Sequence, residues 1–390
     1  MSHVQKRCGR CAKTVPSRAL SCPACGGREA SWRARYRGPD NYERSKSFER
    51  RTDAERWLAE MQTSKARGTW VDPALGKITL GTWSERWIEA RTPTLKPQTS
   101  HGYRSMLRSR ILPTFGRWKI ASIGPSDVQT WINGMQADGL SASRVRQAHI
   151  VLSMILKSAV REGLIVRNAA ADADLPRIPH REAAYMEPAQ VERIAQAMDE
   201  PDGLFVRVLG TLGLRYGEAA ALRRRSVDLL RRRLVIEESL AEVGTELIFG
   251  PTKSHAVRRV PLTSRLAQAM TEHLEHRVPT NSDALLFPAP NGGPLRHSNF
   301  YHRRWQVALR HCNFPAVGVH VLRHSAAAAL ISSGASPKAV QSILGHRSAA
   351  FTLTVYGHLF ETDLDDVAAR LEEMLKVGQV TPASLGRTTA

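Results

Sequence analysis

The chain has 390 residues, with 56 lysines and arginines against 36 acidic residues and a net charge of +20. That length exceeds one ordinary domain and predicts two to four units, and the charge points to a polyanionic partner. No long uncharged apolar run and no signal-peptide pattern occurs, which argues against a membrane-spanning or secreted protein and makes the cytoplasm the expected compartment.

The first segment, 1–28, holds Cys8-Gly9-Arg10-Cys11 and Cys22-Pro23-Ala24-Cys25. Two C-x-x-C knuckles at close range can set four thiolates tetrahedrally around Zn²⁺, and Gly26-Gly27 suits a tight knuckle turn. A redox pair or a disulfide framework is the alternative. A reducing cytosol opposes disulfides, and a thioredoxin-like site needs one such motif rather than two. The reading is a structural zinc ribbon without an open ligand position. Cys312 stands alone as an apolar filler.

Segment 29–70 opens on Trp32-Arg33-Ala34-Arg35-Tyr36-Arg37, a strict alternation that predicts a strand with one apolar and one basic face. Gly38-Pro39-Asp40-Asn41 is a turn signal, Arg44 to Phe48 a returning strand, and Thr52-Asp53-Ala54-Glu55 a capping box opening a helix to about Ala66. A small sheet on one helix, with arginines on its open face, can enter a DNA major groove; a solvated basic strand is the plainer reading.

Residues 78–166 read as an α-helical bundle. Thr82-Trp83-Ser84-Glu85 is a second capping box. A helix through Tyr103, Leu107 and Ile111 is expected to stop at Pro113, and another runs from Pro125 to near Gly139. Ser141 caps a long helix with Val145, Ala148, Leu152, Ile155, Leu156 and Ala159 on one face and Gly163 as its stop. Arg104, Arg108, Arg110, Arg144 and Arg146 leave its surface basic, for phosphates or merely for solubility. Residues 167–182, rich in Ala, Asp, Pro and Arg, read as a linker.

From 183 to 378 the pattern is mixed α+β, with helices at 188–198, 204–212, 217–222, 264–276, 299–310, 321–332, 337–344 and 363–375. Short strands are expected at 234–238, 246–249 and 258–261. Residues 379–390 read as a mobile tail.

Chemistry-bearing residues concentrate in this last part. Leu214-Arg215-Tyr216-Gly217-Glu218 offers one arginine and Thr252-Lys253-Ser254 a lysine. His320-Val321-Leu322-Arg323-His324 offers a second arginine between imidazoles, and Leu344-Gly345-His346 precedes Tyr356. A guanidinium matches two phosphate oxygens, imidazoles move protons near neutral pH, and a phenol can attack phosphorus once positive charge surrounds it. Three of them have rivals: Arg258 and Arg259 for Lys253, His324 for His320, Tyr301 for Tyr356. A lone tyrosine is more often core than catalyst.

The order and spacing of Arg215, Lys253, His320-x-x-Arg323, His346 and Tyr356, with R-x-G-E, H-x-L-R-H and L-G-H around them, resemble the tyrosine recombinases, phage-type integrases above all. The resemblance implies a multidomain, mainly α chain. The small sheet and helix become an arm-type DNA-binding domain, the bundle a core-binding domain, and 183–378 the catalytic domain. It implies Tyr356 as nucleophile, leaving a 3′-phosphotyrosine, with Arg215 and Arg323 on the non-bridging oxygens and Lys253 as acid for the leaving 5′-oxygen. His320 and His346 assist at the phosphate, and Glu218 orients the arginines or histidines. No cofactor is implied for catalysis, only the structural zinc. The implied partners are double-stranded DNA at core and arm sites, further copies in a homotetramer on DNA, an excisionase and a DNA-bending host protein, with no membrane. A type IB topoisomerase and a catalytically silent DNA-binding regulator are the alternatives.

Overall fold

A computed structural model of the chain describes residues 2–39, 41–67, 70, 72, 75–179, 184–252, 257–346, 348–360, 368, 369, 371–373 and 375. They fall into two units, Met1–Pro179 and His180–Ala390.

Strands β1 (His3–Cys8), β2 (Thr14–Val15), β3 (Ala30–Arg37) and β4 (Glu43–Phe48) form one antiparallel sheet in the order β2-β1-β3-β4. The sequence reading divided the chain at residue 28. The pairing of β1 with β3, from His3↔Arg35 to Cys8↔Ala30, instead makes the cysteine segment and the basic strand one sheet. Helix α1 (Arg51–Ala66) covers the face carrying Ala34 and Tyr36, with Trp57 edge-on to Tyr36 at 5.4 Å. The register puts Gln5, Arg7, Arg33, Arg35 and Arg37 on the opposite face. Helix α1 begins at Arg51, ahead of the expected capping box, and its N-cap Arg50 makes no side-chain cap.

The bundle comprises α2 (Leu80–Arg91), α3 (Pro97–Met106), α4 (Leu112–Phe115), α5 (Pro125–Ala137) and α6 (Ala142–Arg161). The cap of α2 is Thr79, whose side chain accepts from Thr82 N, so the helix starts before the expected box. The chain does not stop at Pro113. A π turn at Leu107–Ile111 widens the helix, Leu112 N–H reaching back to Leu107 O, and Pro113 then sits in the first turn of α4, where its missing donor is not required. The predicted face of α6 is fully buried, against Ile88, Ile111, Phe115 and Ile132. Residues assigned to the linker also pack here. Ala170 is buried with its carbonyl 2.8 Å from His149 Nε2, and Arg146 donates to Pro176 O at 2.7 Å. Regular structure is lacking there, but not tertiary contact.

The second unit is built on α7 (Pro188–Gln196), α8 (Asp202–Leu212) and α13 (Val321–Ser332), which share a core with Phe205, Leu209 and Leu322 at its centre. Around it lie α9 (Tyr216–Ala220), α10 (Ser264–His276), α11 (His297–Phe300), a π turn at Tyr301–Trp305, and α12 (Gln306–His311). Strands β5 (Val227–Asp228), β6 (Arg233–Ile236) and β9 (Arg258–Pro261) form one sheet in that order, and β7 (Glu238–Val243) pairs with β8 (Glu246–Pro251) as a hairpin. The expected strand at 234–238 is thus broken at Glu237 into two strands of different sheets. Helices α14 (Pro337–Leu344) and α15 (Ala349–Phe360) pack on α13 through Ala327, Ile331, Val340, Leu344 and Tyr356. The helix expected at 363–375 and the tail at 379–390 lie largely or wholly outside the described residues.

Helix α8 ends on Gly213 at φ +65°, and an added Cβ would stand 2.2 Å from Leu344 Cδ2. The left-handed φ disfavours any L side chain, and the buried Leu344 has little room to retreat. Gly213→Ala is expected to destabilise the second unit by about 1–3 kcal/mol, read as a lower urea midpoint at unchanged slope.

Candidate active site

Arg215 follows the glycine that ends α8 and is the N-cap of α9. Glu218, one turn in, is 1 % exposed. Its carboxylate accepts from Arg215 N at 3.0 Å, Arg215 Nη1 at 2.8 Å and Arg258 Nη2 at 2.5 Å. Burial pushes this carboxyl up. The hydrogen bonds and charge of Arg258, and then of Arg215, outweigh burial and hold it below the ordinary value. Arg258 opens β9 and also donates to Ile343 O at 3.1 Å, while Arg215 Nη2 reaches Gly345 O at 3.4 Å. One carboxylate therefore aims two guanidiniums, and both are tied to the end of α14.

Arg323 lies in the first turn of α13, 4 % exposed. Its Nη1 donates to Gly213 O at 2.6 Å, and its Nη2 is buried without a hydrogen-bond partner among the described residues. Burial, then the charge of Arg215, lowers its pKa to about 10. A buried donor with no acceptor is costly in a folded chain and marks a place where a ligand supplies one. Gly345, with φ +68°, caps α14 and turns the chain into His346, whose Nδ1 lies 2.9 Å from Thr352 Oγ1. Burial first, and then neighbouring positive charge, brings His320 and His346 each to about 4. Both imidazoles are therefore neutral at pH 7.

Tyr356 sits on α15, 3 % exposed, its ring stacked on His346 at 6.3 Å. Its hydroxyl lies 2.7 Å from His324 Nδ1. Burial raises its pKa and the charge of Arg323 opposes that rise. Arg215, His320, Arg323, His346 and Tyr356 thus come together, linked by contacts and mutual electrostatics, around the turn at Gly345. Lys253, between β8 and β9, lies outside the described residues. The rival Tyr301 packs on His297 and His302 instead.

Two residues that the sequence offers as rivals join the site. Arg258, the rival of Lys253, pairs with Glu218, and His324, the rival of His320, bonds the phenol. The four-residue spacing of His320 and His324, with rings 5.0 Å apart, was a signal for one shared helical face. Thr352 carried no signal at all.

At the amino terminus, Cys8, Cys11, Cys22 and Cys25 are free thiols whose sulfurs all lie within 4.8 Å of one another. Both knuckles close alike. Ala12 N donates to Cys8 O at 3.0 Å and Gly26 N to Cys22 O at 2.8 Å, with Ala12 and Gly26 at φ 56° and 67°.

Residues 184–362 match the phage integrase family, and residues 79–136 match the N-terminal SAM-like domain of phage integrases. The protein named "Putative prophage phiRv2 integrase" of Mycobacterium tuberculosis is 31% identical over 358 residues, covering 88% of this chain and 92% of its own length. The integrase of Mycobacterium phage D29 is 27% identical, covering 87% of this chain and 91% of its own. Among solved structures, the Tn1549 transposon integrase in complex with a circular intermediate DNA superposes with a TM-score of 0.64 at 24% identity. That match covers 76% of this chain and 99% of that one.

Replacing Glu218 with glutamine leaves two guanidiniums around a neutral amide. The expected loss is about 3–5 kcal/mol of stability at pH 7, measured by urea unfolding. Because the folded carboxyl titrates below its ordinary value of 4.5, the ionised form stabilises the fold above that value, and this contribution is lost as pH falls through the folded pKa. The gap between the two proteins is expected to narrow as pH drops below about 4.5.

Proposed function

This chain belongs to the phage integrase family and is a tyrosine recombinase, a site-specific DNA recombinase of the integrase type, and from that premise we propose how its own residues perform the reaction. Tyr356 attacks the scissile phosphorus and displaces the 5′-oxygen. The 3′-phosphotyrosine that results keeps the energy of the bond, so a 5′-hydroxyl of another strand can reverse the step without ATP. Arg215 and Arg323 hold the non-bridging oxygens and balance the charge that grows on five-coordinate phosphorus. They supply what a divalent ion supplies in many other phosphoryl-transfer sites. His320 and His346 hydrogen-bond the same phosphate. Lys253 protonates the leaving oxygen, and Glu218 fixes the first arginine. The observation that carries this reading is the buried, unpartnered Nη2 of Arg323 in the same cluster as Tyr356.

The remaining parts follow the same reading. The bundle, continuing through the pinned segment to Pro176, binds core-site DNA, and the open basic face of β3 binds arm-site DNA. The chain acts as a homotetramer on two duplexes in the bacterial cytoplasm, integrating or excising a phage or mobile element. A lambda integrase tetramer is known on a Holliday junction, which supports that assembly by likeness of fold. Among the described residues no helix is long and apolar enough to cross a membrane. An excisionase sets direction, and a DNA-bending host protein assists.

The cysteine cluster fits a structural Zn²⁺. The sulfur pairs at 3.5 and 3.6 Å approach the ~3.8 Å edge of a tetrahedron with ~2.3 Å Zn–S bonds. The ion would tie the β1–β2 end of the sheet to the loop before β3, and so support the arm-binding face.

With a nicked suicide substrate, the unaltered chain is expected to form a covalent protein–DNA adduct. Tyr356→Phe should form none while still shifting the DNA in a gel, and Arg323→Ala should cleave about 10²–10³-fold more slowly. An adduct that persists in Tyr356→Phe removes the phenol from the mechanism. Purified protein is expected to carry one zinc per chain by metal analysis. Cys22→Ser should lose the metal and bind arm-site DNA more weakly than core-site DNA; metal-free native protein would exclude the ribbon.

A further inference from the structure

We infer that His324 is the general base of the cleavage step, taking the Tyr356 proton through its Nδ1. The inference rests on the reading of Tyr356 as nucleophile and adds a residue that the motif comparison had set aside as a rival of His320. The observation is geometric. His324 Nδ1 lies 2.7 Å from the Tyr356 hydroxyl, a full hydrogen bond. His346 is stacked beside the phenol ring, and its own Nδ1 is engaged by Thr352. His320 meets His324 edge-on at 5.0 Å.

The titratable and charged groups around His324 are His320 and Arg323 from the start of α13, Tyr356 from α15, and His346 from the turn between α14 and α15. Burial, and then Arg323, holds the His324 imidazole below its ordinary value, so at pH 7 it is neutral. In the neutral tautomer with its proton on Nε2, Nδ1 presents a lone pair to the phenol hydroxyl, which donates to it. Burial meanwhile raises the phenol. Proton transfer is therefore uphill in the free protein, and the nucleophile stays neutral until a phosphate is present. The negative phosphate favours the imidazolium, and the proton moves as the bond forms.

The step balances. A lone pair on the Tyr356 oxygen forms the O–P bond as its proton passes to His324 Nδ1. The P–O5′ bond breaks, its electron pair stays on the 5′-oxygen, and Lys253, the proposed acid, protonates it. On rejoining, a 5′-hydroxyl attacks phosphorus as its proton passes back to the Lys253 amine, the O–P bond to Tyr356 breaks, and the His324 imidazolium returns its proton to the departing phenolate. The same side chain is base in one direction and acid in the other.

The test is single-turnover cleavage of a nicked suicide substrate by the full chain. Histidine is replaced by alanine, which removes the group, and by asparagine, whose amide can hold a hydrogen bond at the Nδ1 position but cannot take a proton. Both His324→Ala and His324→Asn are expected to bind DNA normally and to cleave at least ~10²-fold more slowly at pH 7. The rate of both variants should climb as pH is raised towards about 10, because the small fraction of phenol ionised without a base grows even though burial holds its pKa above the ordinary value, and added imidazole should partly restore His324→Ala. Asparagine at the native rate would reduce His324 to a hydrogen-bonding prop, and a loss that neither pH nor imidazole recovers would also overturn the assignment. The unaltered chain gives a check that needs no variant. Its rate should fall as pH drops through the folded value of His324, which lies below the ordinary imidazole value, and a rate that stays level down to the pH at which the fold is lost would overturn the inference. An adduct present in the native chain and absent in Tyr356→Phe keeps a failure here distinct from a failure of the nucleophile itself.

Discussion

A single buried negative charge governs the site. Glu218 faces Arg215 from its own helix and Arg258 from β9, and its burial leaves no water to share that work. Remove it, and three guanidiniums, those of Arg215, Arg258 and Arg323, would confront one another at low dielectric. With it in place, each of the two paired arginines has oxygen partners on one side and donors left over on the other. Arg258 also clasps the carbonyl of Ile343, and Arg215 that of Gly345. The carboxylate thus fixes the turn that presents His346, as well as the arginines themselves. The reading of Glu218 as an orienting group fits this geometry for the arginines. Among the described residues its hydrogen bonds go to the two arginines and to none of the histidines.

Much of this was legible because chemistry constrains residue type and fold constrains spacing. Arginine, histidine and tyrosine in one order could be read without knowing a single contact. The long α6 was legible for a related reason: Val145, Ala148, Leu152, Ile155, Leu156 and Ala159 recur at helical spacing and all six are buried. What failed was local punctuation. Thr52 and Thr82 each head a capping box in the sequence, yet the helices begin earlier, at Arg51 and Leu80: Thr79 rather than Thr82 caps the second, and Arg50 leads into the first without a side-chain cap. Pro113 reads as a stop only if the helix is α throughout, and a π turn is invisible in a hydrophobic pattern. The stretch from Asn168 to Pro176 has linker composition. It packs through single contacts such as that of His149, which leave no periodic trace. The division at residue 28 failed because strand pairing between β1 and β3 is non-local. Nothing in either segment announces its partner.

The charges of the site differ in how far the protein itself satisfies them. Arg215 and Arg258 are paired with carboxylate. Arg323 is not: among the described residues its side chain bonds the Gly213 carbonyl alone and its second terminal nitrogen has no partner, and burial works against its cation. The nearby imidazoles of His320 and His346 are neutral because burial, and then the same positive field, disfavours their protonation. A phosphodiester brings one negative charge and two free oxygens to this place. It would complete the hydrogen bonding of Arg323 and relieve the repulsion between arginines. The five-coordinate phosphorus of the reaction carries more charge than the diester, so the relief grows as the reaction proceeds. An interaction that strengthens from ground state to transition state lowers the barrier, whereas one that is equally strong in both only tightens binding. In this reading the unsatisfied arginine is the source of the catalytic effect. The fold tolerates its cost through Glu218, which holds the arginine beside it, and through the glycine turn at Gly213, which brings a carbonyl to its other nitrogen.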